Sequence, residues 1–178
     1  MKKLASFACC AVQHAAAPAL AQSANPLTDA TKAHFAIVKG YLTKTAEQVT
    51  EENYAFKPTP EVRNLGSIIG HIADANFFFC STAGGAANPM KGMSAEKTKT
   101  SKADLQKALA DSVAFCDAQY AAMTDAKGME LVDFFGGKQP RIAVLAFNTT
   151  HNFEHYGNLV TYMRLKGMVP PSSQKGGM

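Results

Sequence analysis

His151 and His155 stand four residues apart in the run THNFEHYGNLVTYMRLKGMVPPSS, residues 150–173. Four residues of α-helix turn by about 40° net and rise by about 6 Å, so the two imidazoles leave one face a turn apart. Nitrogens placed that way can hold one divalent metal without distorting the backbone. A third candidate, His71, lies in a separate segment, GHIADANFFFC. Three neutral imidazoles suit zinc first, with nickel or iron(II) as further options, and leave positions open for water or substrate. Water on such an ion loses its proton far more readily, which makes the site chemically live. Asp74 and Glu154 each follow a candidate ligand by three residues. Either can accept a hydrogen bond from a ligand's far nitrogen or act as a base, and either also reads as a plain surface acid.

Other chemistries fit less well. A zincin needs Glu directly after its first His, and Asn152 occupies that position. A di-iron bundle needs Glu-x-x-His pairs, and a serine hydrolase needs a Gly-x-Ser-x-Gly elbow; the sequence contains neither.

The elements that must position these histidines read as four helices. In the first, capped by Thr28 or Asp29, Ile37, Val38, Tyr41, Leu42, Thr45 and Val49 form one apolar stripe to about Glu52. His34, on the edge of that stripe, reads as a packed or surface histidine rather than a fourth ligand. Residues 53–63 hold two prolines and form an irregular connection, with Tyr54 and Phe56 tucked against the bundle. Asn64 caps the second helix, whose buried side is Leu65, Ile68, Ile69, Ile72, Ala73, Asn76 and Phe79, running to about Thr82. Gly66 and Gly70 cost it about 1 kcal/mol each against Ala, a cost that close approach of another element offsets.

Residues 84–100 show no sustained period and read as a long connection. Ser101 caps the third helix, with Leu105, Ala108, Leu109, Ser112, Val113, Cys116, Tyr120 and Met123 in its stripe. Residues 125–139 read as a loop, in which Leu131, Phe134 and Phe135 plug one end of the core and Gly136-Gly137 makes a turn. Pro140 suits the first turn of the fourth helix, which runs through Ile142, Leu145, Thr149, Asn152, Tyr156, Leu159, Val160 and Met163 to Gly167. With no strand-like alternation and no Asn-Gly hairpin, the expectation is an all-α four-helix bundle over residues 22–171, followed by a disordered tail at residues 172–178.

The first residues read as a leader. Lys2 and Lys3 precede an Ala-rich apolar stretch, and Ala19-Leu20-Ala21 is a small-x-small cleavage site, so residues 1–21 form a secretory signal peptide and the expected destination is the bacterial periplasm. Cleavage removes two lysines and no acid, lowering the formal charge from +4 to +2. The lysines between Lys91 and Lys107 are broken up by Glu96 and Asp104 and carry no interleaved aromatics. They make a solvated face rather than a nucleic-acid surface, and nothing in the mature chain asks for a membrane.

Cleavage also leaves two cysteines, Cys80 and Cys116, which an oxidising compartment favours as a disulfide. A bridge needs Cα atoms within about 7 Å. Antiparallel second and third helices would put these positions several turns apart. A parallel pair, joined by a long crossover through residues 84–100, brings them level.

The order NLGSIIGHIADANFFFC, then THNFEHYGNLVTYMRLKGMVPPSS, resembles the DinB-like (DinB/YfiT-type) superfamily of four-helix-bundle metalloproteins over most of the mature chain. The most specific part is His-x-x-x-His-Tyr-Gly, from His151 to Gly157, with the following Arg-Leu-x-Gly-x-Val-Pro-Pro. The resemblance implies a three-His metal site on His71, His151 and His155, an up-down-down-up bundle, and often a homodimer. Characterised relatives include thiol-dependent transferases and isomerases, in which the metal activates a low-molecular-weight thiol. A periplasm holds little such thiol, so the leader sets this chain apart from them.

Two kinds of function follow. One is an exported metalloenzyme, a hydrolase or thiol/group transferase acting on a small molecule in the bundle. The other is a non-catalytic metal- or ligand-binding bundle whose histidines are structural or vestigial. An enzyme calls for an open coordination position with an apolar pocket beside it.

Overall fold

In the computed structural model, which describes residues 23–175, four long helices carry the chain: α1 Pro26–Gln48, α2 Leu65–Gly84, α4 Lys102–Ala121 and α6 Arg141–Leu165. Two four-residue helices, α3 Ala95–Thr98 and α5 Asp125–Gly128, and a hairpin of β1 Leu131–Phe134 and β2 Gly137–Pro140 occupy the connections. The fold is thus mostly helical. The expected leader, residues 1–21, lies outside the described residues. Among those residues, no helix is long and apolar enough to cross a membrane.

Local chemistry sets most helix ends. The Asn64 side chain accepts from the Ser67 N–H, and Ser101 from the Asp104 N–H, satisfying amides that a helix start leaves unpaired. At the end of α6, Gly167 takes a φ of +70°; its N–H bonds the Arg164 carbonyl while the Met168 N–H bonds that of Met163. This is the paired bonding of a Schellman stop, and the left-handed residue it needs is the glycine. α1 departs from expectation. It begins at Pro26, ahead of Thr28 and Asp29, because its first amides are capped from far along the chain: the Asp125 carboxylate accepts from the Leu27 and Thr28 N–H groups.

Contacts along the helices fix their relative directions. From one end of α2 to the other, Gly66 lies against Leu105, Asn76 bonds Ser112, Cys80 bridges Cys116 and Gly84 lies against Gln119. The numbers rise together, so α2 and α4 point the same way. The Cys80–Cys116 disulfide spans Cα atoms 5.3 Å apart, as a level pair of positions requires. Between α2 and α6 the numbers run oppositely: the Ala83 carbonyl accepts from Arg141, and Asn76 bonds Asn152.

The core lies between the four long helices, where Val38, Leu42, Leu65, Ile69, Ile72, Leu105, Leu109, Leu145, Leu159 and Met163 are all but inaccessible to solvent. The stripe expected on α1 is displaced at one position. Ile37 is 43% exposed, and Phe35 is buried instead, stacked on Tyr120 at 4.3 Å between ring centres.

Residues 125–139, expected as a loop, contain α5 and the hairpin. Phe134 pairs with Gly137, leaving a two-residue turn of Phe135 and Gly136 with φ of +47° and +80°. Two successive left-handed residues make the tight turn that matches strand twist, without the Asn-Gly pair that usually announces it. Phe134 is buried as a plug, whereas Leu131 is exposed because alternate strand residues face opposite ways, and Phe135 is exposed in the turn.

The tail also differs from expectation. Pro171–Ser173 forms a short 3-10 turn, the Ser172 N–H donates to the Tyr156 hydroxyl, and Gln174 donates to Gln48. Specific polar partners on α1 and α6 therefore order a segment whose composition alone argues for none. Residues 176–178 lie outside the described residues.

Candidate metal centre

The three histidines meet. The Nε2 atom of His151 is 3.2 Å from that of His71 and 3.1 Å from that of His155, and the candidate ligand atoms all lie within 4.8 Å of one another. Two imidazole nitrogens on one ion stand about 3.3 Å apart in a tetrahedral arrangement and about 2.9 Å apart in an octahedral one. The observed separations fall between these values, so the donor set fits a single small cation.

The register that brings α2 and α6 together here is held by a buried polar rung. Asn152 Nδ2 donates to Asn76 Oδ1 at 2.9 Å, and Asn76 Nδ2 donates to Ser112 on α4. Asn152, which stands where a zincin carries its glutamate, is fully buried in that rung. Phe79 sets its ring against His151 at 5.3 Å, walling the site on the side of the hairpin.

Protonation follows from the surroundings. Burial, then the neighbouring His155 and His71, pushes the His151 pKa down to about 4. His155 is lowered as well, by burial first and then by His71. Both imidazoles are therefore neutral near pH 7, the form that ligates metals. Their Nδ1 atoms are buried with no hydrogen-bond partner among the described residues. An unmet buried polar atom costs about 1–3 kcal/mol, and a cation on the Nε2 atoms would leave that cost in place, unlike at His71, whose Nδ1 has a carboxylate partner.

His71 is held differently. Its Nδ1 lies 3.1 Å from Glu96 Oε2, and Glu96 Oε1 accepts from Arg63 Nε at 2.7 Å. A carboxylate facing Nδ1 fixes the proton there and turns the Nε2 lone pair inward, towards the other two rings. Burial pushes the Glu96 carboxyl up, but the Arg63 hydrogen bond and charge, with His71, outweigh it and hold the group below its ordinary value.

Sequence reasoning misses Glu96. It lies 25 residues from His71, in a four-residue helix without a period of its own. The available signal was Gly70, beside His71. A Cβ built on Gly70 would sit 2.7 Å from the Glu96 Cα and 2.8 Å from its N, so the bare glycine is what lets the α3 backbone come this close. Asp74 completes the arrangement from another side: it accepts from the Ser94 hydroxyl and from the N–H groups of Ala95 and Glu96, pinning the start of α3. The structure thus places Asp74 behind α3 instead of against an imidazole. Glu154 is exposed and makes no hydrogen bond among the described residues; only its charge reaches His155. His34 is also exposed and stays outside the cluster, in a groove with Thr149 and Thr150.

A cavity of about 500 Å³ opens beside His155, walled by residues 61–63, by Ile68, and by Asn158 and Tyr162 of α6. Its size is that of a small-molecule site. Its walls carry Arg63, Glu61, Asn158 and a tyrosine, so it is more polar than the apolar pocket expected.

The sequence profile described as DinB superfamily matches residues 34–159, well over half of the chain. The chain belongs to the DinB superfamily. The uncharacterized DinB-like protein YjoA of Bacillus subtilis strain 168 is 24% identical over 135 residues, which span 75% of this chain and 87% of that protein. The YjoA crystal structure superposes with a TM-score of 0.65 at 23% identity, covering 79% of this chain and 94% of YjoA. A DinB-like protein from Bacillus cereus ATCC 10987 gives 0.68 at 22% identity, covering 80% and 95%. A conserved protein of Enterococcus faecalis gives 0.64 at 16% identity, covering 78% and 95%. At these identities the solved structures speak for the DinB fold. The site has to be read from this chain's own residues.

Proposed function

We propose that this chain is an exported, metal-dependent DinB-superfamily protein that carries out hydrolysis or group transfer on a small molecule, thiol transfer included. The convergence of three Nε2 atoms, with one of the three histidines, His155, lining a 500 Å³ cavity, carries the proposal. His71, His151 and His155 would hold the ion, with zinc favoured by the all-nitrogen donor set and nickel or iron as alternatives. Such an ion would supply Lewis-acid polarisation and an acidified nucleophile. The protein's part is to present the three imidazoles to one point. Burial keeps His151 and His155 neutral, and Glu96 orients His71. The framework is an up-down-down-up bundle, a topology supported by the contact ladders of α2 with α4 and with α6. Export is supported by the leader-like residues 1–21 and by a buried disulfide. A homodimer belongs to the same proposal on the family resemblance and is tested by sedimentation.

A second reading is a non-catalytic bundle with a structural or vestigial triad. It is favoured by one observation: Asp74 is committed to the start of α3 and Glu96 to Arg63 and His71, so neither of these two carboxylates stands free as a base.

Elemental analysis of the untagged, processed protein beside His71→Ala and His151→Ala tests the site. The expected result is about one equivalent of zinc, nickel or iron, lost in both variants. Equal metal content in all three proteins would discard the proposal.

A further inference from the structure

The cavity beside His155 has a cation in its wall with hydrogen-bonding capacity to spare. Arg63 spends only its Nε on Glu96, and neither terminal nitrogen makes a hydrogen bond among the described residues. The pairing fixes the guanidinium as well as engaging it. One end of Glu96 grips Arg63 and the other grips His71, while the Tyr162 hydroxyl donates to the Arg63 carbonyl at 3.0 Å. A guanidinium held by Nε presents its two terminal nitrogens as a fork, the shape that takes a carboxylate or similar oxyanion through two parallel bonds. The other charged group in the wall, Glu61, is turned back on its own loop. Its carboxyl is held below the ordinary range by its own backbone N–H and by the Thr59 hydroxyl. Asn158 adds an uncharged amide on the α6 side, and Ile68 an apolar floor.

We infer that this cavity binds a small organic anion, a carboxylate-bearing molecule seated on Arg63 with its body over Ile68 and its far end at His155. The inference rests on the three-histidine reading for what happens at that far end, but the anion seat itself is built by Arg63, Asn158 and Tyr162. Glu96 then has two tasks. It aims the group that seats the anion and one of the three imidazoles that would hold the ion, so the separation between the two is set by one side chain.

Benzoate and its uncharged isostere benzamide separate charge from shape. Titrations followed by ¹H–¹⁵N spectra, on metal-loaded and on chelated protein, should show saturable binding of benzoate and at least tenfold weaker binding of benzamide. Arg63→Gln should bring benzoate down to the benzamide level. Because Arg63 also supports Glu96, Asn158→Asp and Asn158→Lys provide a test that leaves that pair intact. They should weaken and tighten benzoate by about threefold or more, in opposite directions, with benzamide unmoved. Absence of saturable benzoate binding, equal affinity for the two probes, or equal benzoate affinity in the two Asn158 variants would overturn the inference. Metal content measured on the same samples separates it from the metal reading. A protein without metal that still prefers benzoate keeps the seat and loses the site, and a metal-loaded protein with no preference does the reverse.

Discussion

Replacing Gly70 by alanine tests the route by which a glycine shapes the site. Mid-helix, Gly→Ala ordinarily stabilises by about 1 kcal/mol. Here the new Cβ would stand 2.7 Å from the Glu96 Cα, 2.8 Å from its N and 3.1 Å from a Leu105 methyl, where ordinary contact begins at 3.4 Å. Relief requires the α3 backbone to retreat by about 0.7 Å, since a backbone atom cannot rotate aside as a side-chain end can. The same retreat takes the Glu96–His71 contact from 3.1 Å towards about 3.8 Å, outside hydrogen-bonding range. Overpacking costs about 1–3 kcal/mol, so after the helix-propensity gain the variant should be neutral to about 2 kcal/mol less stable. Loss of the carboxylate that orients a ligating histidine typically costs about 10- to 100-fold in metal affinity. Gly40→Ala in α1 is the matched control, because nothing lies within 4 Å of the Cβ it would add; it should gain up to about 1 kcal/mol and leave metal binding alone. Urea unfolding of chelated protein reads the stability change, and zinc competition against a chromophoric chelator reads the affinity. If Gly70→Ala stabilised as Gly40→Ala does and bound zinc as tightly as wild type, the Gly70–Glu96–His71 argument would be wrong.

Two further outcomes can be measured on the same material. The disulfide closes a loop across a sequence separation of 36, for which loop-closure entropy gives about 3–4 kcal/mol; reduction, or Cys80→Ala with Cys116→Ala, should lower urea stability by that order, and thiol titration should find no reactive cysteine of this pair before reduction. The metal-free protein should also lose stability on mild acidification. His151 titrates near pH 4 when folded, against about 6.5 unfolded, so between those values the unfolded chain binds the extra proton. Stability is therefore full above about pH 6.5, falls as pH drops through the window and levels off near 4. The part due to His151, of order 1 kcal/mol after allowance for its partial exposure, should be missing from the pH profile of His151→Gln and so appear as the difference between the two profiles.

How much the residues announced depended on whether their physics was local. Asn64 and Ser101 were readable as caps because the bond each makes closes within three residues. The stripes of α2 and α4 were readable because one face of each is buried along its length. The histidines were readable because i, i+4 spacing is a statement about one helix. What escaped was decided across the chain. Period alone does not choose between Phe35 and Ile37, and the choice fell to the ring of Tyr120. Thr28 and Asp29 look like a helix start, yet Asp125 supplies the cap. Phe135-Gly136 makes a hairpin turn with the wrong first residue. Glu96 reaches His71 only because Asp74 and Gly70, on another helix, dock α3 there.

The Asp125 carboxylate that closes the first turn of α1 lies 97 residues beyond Thr28. The opening helix is therefore completed by the closing third of the polypeptide. A chain delivered amino end first carries α1 with its leading amides uncapped until Asp125 has followed, and the packing of α6 on α1 and α2 waits with it, whereas α2 and α4 can pair before then. The last long helix to be made therefore closes the bundle and also brings two of the three histidines, so the cluster exists only once α6 has joined α2.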